Sequence, residues 1–374
     1  MEVEYKEGSP VWRSILILFS TPIIAVTLLP WYGFTYGFSA GDWITFGAFM
    51  IGTGVAITAG YHRLWSHKAY KANFIVRLVL LFFGTASLQN SVIKWASDHR
   101  KHHRFVDDKE KDPYAFTRGF FFAHFGWLLR YAKPDVERIE NVDDLKKDKL
   151  LVFQHKYYTP LAVFTCFIVP MLVGWAIGDI WGCLLLAGVL RLVLNHHFTF
   201  FINSLAHFVG KRPFSDKNTA RDNALVSLVS YGEGYHNFHH KFAGDYRNGI
   251  HWYDFDPSKW LISSLSKIGF TRDLKLTPKP LIEAAQAKVQ LAAAQERLDN
   301  QGNLVEWKEK VDLQYHQLIQ SISAWTKAKQ EWLLAKKEKL SHENIAQLKA
   351  KYKMFKRNWK LEKKIWARIS SFTS

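Results

Sequence analysis

Four predominantly apolar stretches, the last carrying Arg191, Asn195, His196 and His197, constrain this chain more than anything else in it. They cover about residues 12–32, 43–61, 160–177 and 180–202. Each is close to the ~20 residues that a helix needs to cross the ~30 Å hydrocarbon core of a bilayer. Away from water, a lipid-facing chain satisfies its backbone only as a helix or a closed barrel. Trp31 and Tyr32 close the first stretch as an interfacial aromatic belt would. A fifth run, residues 73–88, is short and interrupted by Arg77, so an interfacial or re-entrant helix is expected there. The loops at residues 33–41 and 178–179 carry no Lys or Arg, whereas the other connecting segments are basic. The positive-inside rule then places both termini in the cytoplasm, in a bacterial inner membrane or the endoplasmic reticulum. No cleavable signal is expected, because the first apolar run is too long and no small-residue cleavage site follows it.

Lys and Arg number 50 against 33 Asp and Glu, a formal net charge of +17, which points to an anionic partner such as lipid headgroups or a phosphorylated substrate. No nucleic-acid-binding module accompanies the charge, and nucleic acid is not expected as a partner. The two cysteines, Cys166 and Cys183, both lie in apolar runs, which excludes a disulfide framework and argues against a thiolate zinc site.

Histidine is placed with unusual regularity. His236, His239 and His240 stand at i, i+3 and i+4, a spacing that stacks three imidazoles on one helix face. His99, His102 and His103 repeat it, His62 and His67 form a looser pair, and Asn203 and His207 are again i, i+4. One such group on an exposed helix is usually a solvated polar face. Four groups, each at the end of an apolar stretch, point instead to metal, since neutral imidazole is the commonest metal ligand. Nine imidazoles are too many for one ion, so two adjacent metals are expected. His62 and His67 differ by about 140° around a regular helix, so either the helix breaks there or the two serve different ions. His124 and His251 stand alone and read as structural.

The groups His-Arg-Leu-Trp-Ser-His, His-Arg-Lys-His-His and His-Asn-Phe-His-His strongly resemble the three histidine boxes of the membrane acyl-CoA Δ9 desaturases, the stearoyl-CoA desaturase family. The likeness covers roughly residues 12–276 and includes Asn203-Ser-Leu-Ala-His207 and Asp245-Tyr-Arg-Asn-Gly. It implies four transmembrane helices under a cytosolic helical cap that holds two iron ions. The ligands it implies are His62, His67, His99, His102, His103, His207, His236, His239 and His240, with Asn203 reaching one metal through water. It also implies that Gln89, Trp95 and Thr199 line the bend of an acyl tunnel, and that Asn90 and Asp98 contact the carrier headgroup. Ser97 replaces the family's arginine, and the basic pair after the Gly-Trp-Leu-Leu run is shifted to Arg130 and Lys133. CoA, acyl-carrier protein and phospholipid therefore all remain open as the carrier. By spacing, Met50 and Gly54 face the tunnel floor.

The fold expected is an all-α integral membrane protein. A desaturase domain over residues 1–280 carries the dinuclear metal site, and a basic helical extension covers residues 281–374. The extension is expected either to lie on an anionic membrane face or to form a solvated helical hairpin. The chemistry expected is O2-dependent insertion of a cis double bond into a saturated acyl chain, in fatty acid biosynthesis. Zinc has no redox chemistry, so iron is required. No cytochrome b5-type segment, flavin fingerprint or cysteine cluster is present, which implies a separate donor such as cytochrome b5, ferredoxin or rubredoxin. Asp98, Asp107, Asp108 and Glu233 are candidates to orient the imidazoles. The rival readings are a histidine-box hydroxylase and a membrane metal carrier.

Overall fold

The four apolar stretches form four helices, Trp12–Thr35, Ala40–Ser66, Tyr158–Ile177 and Ile180–Phe208, in a computed structural model that describes residues 8–301 and 305–372. At 1.5 Å per residue the shortest, with 20 residues, is ~30 Å long, enough to cross a bilayer core. Pro30 has no N–H to offer the Val26 carbonyl one turn earlier, and the first span is interrupted at Thr27. The second span opens with a capping box between Ser39 and Asp42. The third ends on Gly178 at φ +91°, and the Asp179 carboxylate then accepts the Gly182 N–H at 2.7 Å to start the fourth. Tyr32 donates to the same carboxylate at 2.6 Å and ties the first span to that turn.

The second and fourth spans run past the apolar stretches, to Ser66 and Phe208. These added turns carry His62 and His207. Between the second and third spans lies the helix Phe74–Ala86, whose 13 residues reach only ~20 Å and so fall short of a crossing. Its Val76, Leu80 and Leu81 are buried, while Phe74, Ile75, Leu78 and Val79 are exposed on the other side. The buried side joins Ile57, Tyr61 and Trp65 of the second span, Val92, Ile93 and Ala96 of the next helix, and Leu151 and Ile262, in one continuous core.

The chain divides into two compact units, residues 1–212 with 217–276, and residues 213–216 with 277–374. The second unit holds three long helices, Lys279–Asn300, Val305–Lys337 and His342–Phe372. Residues 302–304, between the first two of these, lie outside the described residues. Trp359 and Trp366, which a helix lying on a membrane would turn outward to lipid, are 3% and 2% exposed. Trp359 stacks on Trp325 at 4.4 Å between ring centroids, in a core with Leu318, Ile322 and Val311. Trp325, Trp359 and Trp366 thus face the hairpin's own interior, which favours the packed form over the membrane-lying one.

Candidate metal centre

The helix Val92–Phe105 presents the second histidine group. Its first turn is closed by the Ser91 side chain, which accepts the Lys94 N–H at 3.3 Å. The third group sits on the six-residue helix His236–Lys241, too short to hold itself. The Asp222 carboxylate supplies its cap from outside, accepting the N–H groups of Asn237 at 2.7 Å and Phe238 at 3.0 Å. Gly234 is needed just before it, because a side chain there would press within 2.3 Å of the Ser227 backbone nitrogen.

The first group is held by an irregular winding. Residues Ala56–Ser66 form a π-helix, with the His67 N–H donating to the His62 carbonyl at 3.0 Å, an i to i+5 bond. The wider turn brings residues five apart to the same side, and the rings of His62 and His67 lie 4.8 Å apart. The two therefore belong to one cluster rather than to different ones. Arg100 locks the first two groups together. Its guanidinium donates to the carbonyls of Trp65 at 2.8 Å and Ser66 at 2.9 Å and forms a bidentate pair with Asp144.

The nine imidazoles gather in two clusters. One contains His62, His67, His99, His103 and His239, the other His102, His207, His236 and His240, and within each cluster the candidate ligand atoms lie within 4.8 Å of one another. His62 Nε2 is 2.9 Å from His239 Nε2, which is 2.9 Å from His103 Nε2. In the second cluster His240 Nε2 lies 3.2 Å from His102 Nε2 and 3.0 Å from His236 Nε2. The clusters abut where His103 stacks on His240 at 4.3 Å.

Outer partners decide which nitrogen faces inward. His102 Nδ1 is 3.0 Å from both oxygens of Asp112, and His207 Nδ1 is 2.7 Å from Thr219 Oγ1, which donates to Asp107 at 2.6 Å. Each of these Nδ1 atoms therefore carries the proton, leaving Nε2 as a bare lone pair aimed at its neighbours. His62 Nδ1 lies 2.8 Å from Glu233 Oε2, close but with the ring N–H poorly aligned. The Nδ1 atoms of His236 and His240 are buried with no hydrogen-bond partner among the described residues. Bare nitrogens about 3 Å apart repel in the absence of a cation. Two imidazoles that shared one ion at ~2.1 Å would stand roughly 3 to 3.5 Å apart. The donor set thus fits a pair of metal ions.

Burial, reinforced by the neighbouring imidazoles, pushes His67, His99, His103, His236, His239 and His240 well below the ordinary imidazole range. They are neutral at physiological pH, the form that binds metal. Burial alone would push the Glu233 carboxyl up, but His62 and Arg63 outweigh it and hold it below its ordinary range. Arg63, 1% exposed, is gripped between Glu233 at 2.8 Å and Asp256 at 2.9 Å.

Both clusters open on one cavity of about 320 Å³, lined by His62 and His99 of the first and His102 and His236 of the second. Gln89, Asn90, Trp95, Asp98, Thr199 and Asn203 line it too. Gln89 donates to Thr199 at 3.0 Å, and Trp95 stacks on His99 at 4.8 Å. Asp98 pairs with Lys94 at 2.9 Å rather than with an imidazole, and Asp108 caps its own turn. Met50 and Gly54 do not border the cavity. Arg130 is exposed and donates to the Gly8 carbonyl at 2.7 Å, and Lys133 pairs with Glu110 at the surface. His124 lies apart from both clusters, between His197 at 3.0 Å and Ser204 at 2.9 Å. Asp112, Thr219 and Arg63 escaped the sequence reading. Asp112 offered only its place in the polar loop after the second group, and Thr219 gave no signal at all.

Such a molecule is a helical membrane protein with a two-lobed histidine centre lining an apolar cavity. Residues 41–266 match the fatty acid desaturase family, and the chain belongs to it. It is 42% identical over 269 residues to a probable acyl-CoA desaturase of Schizosaccharomyces pombe, covering 71% of this chain and 55% of that one. It is 44% identical over 233 residues to acyl-CoA desaturase 1 of Saccharomyces cerevisiae, covering 62% and 46%. Against human stearoyl-CoA desaturase it is 38% identical over 294 residues, covering 76% and 78%. The matched region thus spans about half the length of the two yeast relatives.

Proposed function

We propose that this protein is an O2-dependent fatty acyl desaturase that places a cis double bond, at Δ9, in a saturated acyl chain carried by CoA. The observation that carries the reading is the opening of both imidazole clusters onto one apolar cavity. The names of the relatives support the acyl-CoA substrate. In this reading the nine histidines hold two iron ions, and Asn203 reaches one of them through water.

When bound, the iron pair would supply the oxidising power to remove one hydrogen from each of two neighbouring carbons, the two hydrogens leaving with O2, two protons and two electrons as two molecules of water. The chain's own residues do the rest. Asp112, and Asp107 through Thr219, hold their imidazoles in the ligating tautomer. Gln89, Thr199 and Trp95 form the wall that fixes which carbons lie beneath the centre. Asn90 and Asp98 stand where the carrier headgroup enters. Electrons come from a separate protein, cytochrome b5, ferredoxin or rubredoxin, drawn to a basic cytoplasmic face on which both termini lie.

Expression in a host fed labelled saturated acids of several lengths tests the reading. The expected product is a cis monounsaturated chain with its double bond at carbon 9, made only in the presence of O2. Hydroxylated chains without olefin would replace this reading with a hydroxylase. Purified protein holding zinc, without iron and without turnover, would replace it with a metal carrier.

A further inference from the structure

We infer that Tyr231 blocks the acyl cavity from one layer beneath its lining and so sets the length of chain it accepts, an inference that rests on the cavity being the acyl site. Thr58 of the second span and Thr199 of the fourth both line the cavity. One turn deeper in each span stand Gly54 and Asn195, which do not. The register is fixed by hydrogen bonds, Thr58 Oγ1 donating to the Gly54 carbonyl at 3.2 Å and Thr199 Oγ1 to the Asn195 carbonyl at 2.9 Å.

The Tyr231 ring fills the gap between those deeper positions. A side chain on Gly54 would begin 2.1 Å from the ring, so the tyrosine occupies the room that the glycine leaves open. The Tyr231 hydroxyl donates to the Met50 carbonyl at 2.9 Å and lies 3.1 Å from Asn195 Oδ1. Asn195 Nδ2 in turn donates to the Met50 carbonyl at 3.2 Å, which pins the ring between the two spans. Tyr231 belongs to neither span. It descends from the turn that leads to Glu233 and His236, at φ +56°, a left-handed conformation that bulky residues rarely adopt. Such strain persists where the surroundings over-determine it, often beside a functional site. Met50 and Gly54 thus shape the floor indirectly, one through its carbonyl and the other through its missing side chain.

Removing the ring would deepen the cavity by about one helical turn, ~6 Å, or roughly four methylene groups. The test uses the full chain in detergent, with saturated acyl-CoA esters of increasing length as probes and protection against heating as the readout. Wild type should show a length beyond which protection falls. Tyr231→Ala should move that limit up by about two to four carbons, Tyr231→Val by less, and Tyr231→Phe should leave it in place. An unmoved limit in a folded Tyr231→Ala or Tyr231→Val protein overturns the inference, whether or not olefin is made. A shifted limit with no olefin from any variant upholds it as a length stop and removes the desaturase reading instead.

Discussion

His62 and His67 lie with their rings 4.8 Å apart although five residues separate them. On a regular helix they would diverge, and only the π-winding of Ala56–Ser66 brings them into one cluster. Deleting one residue from that segment, for instance Ala59, should restore α-helical spacing and swing His67 out of the cluster. Iron per protein, measured by elemental analysis, should fall while the four spans still insert. Full iron occupancy in the deletion would show that the winding is incidental.

The two clusters divide the ligands, so single substitutions should act on different ions. His99→Ala strikes the cluster of five and His236→Ala the cluster of four. Each should abolish unsaturated product and lower bound iron, leaving membrane insertion intact. Retained activity in either would overturn the ligand assignment.

Asp112 accepts the Nδ1 proton of His102 through both of its oxygens. Asp112→Asn can still accept a hydrogen bond but loses the charge that strengthens the imidazole as a ligand. Metal affinity should fall about 10- to 100-fold, read by competition with a chelator. Asp108→Asn, which alters only a local turn, serves as the matched control.

Arg63 neutralises two buried carboxylates at once, Glu233 and Asp256. Arg63→Met removes the charge and keeps much of the bulk, stranding both acids. Breaking a buried pair in this way costs about 3–5 kcal/mol, so the variant should unfold at a clearly lower temperature in detergent. Wild-type stability would mean that Arg63 is dispensable.

Acid should weaken the metal-free protein. Six of the imidazoles are held well below their ordinary value of 6.5 by burial and by one another. Below pH 6.5 the unfolded chain takes up protons that the folded chain refuses, so stability is full above that pH and falls as pH drops below it. Unfolding temperatures of metal-free protein from about pH 8 to about pH 5 should trace this loss, and His67→Gln should flatten it. A flat profile for the wild type would contradict the burial of neutral imidazoles.

Much of the architecture was legible because hydropathy and helical period act locally. The four spans needed only the length of their apolar runs, and the short reach of residues 73–88 marked a helix that does not cross. The spacing within residues 99–103 and 236–240 showed that each triplet shares a face. Less legible were features set by distant partners or by backbone winding. A residue-by-residue period of 3.6 cannot reveal the π-turns between Ala56 and Ser66. Thr219 and Asp112 meet their imidazoles only through the fold, and no local pattern marks a threonine that relays a carboxylate. In the second unit, interleaved lysines and tryptophans suited a membrane face and a packed hairpin equally. The stacking of Trp325 on Trp359 comes from two helices meeting, which neither helix announces alone.

The helix Phe74–Ala86 is too short to reach the far leaflet, and this governs how the protein can be assembled. It returns the chain to the side it left, so the first two histidine groups stay in one compartment, and the next two crossings bring the others back to it. No ligand has to be carried through lipid during synthesis.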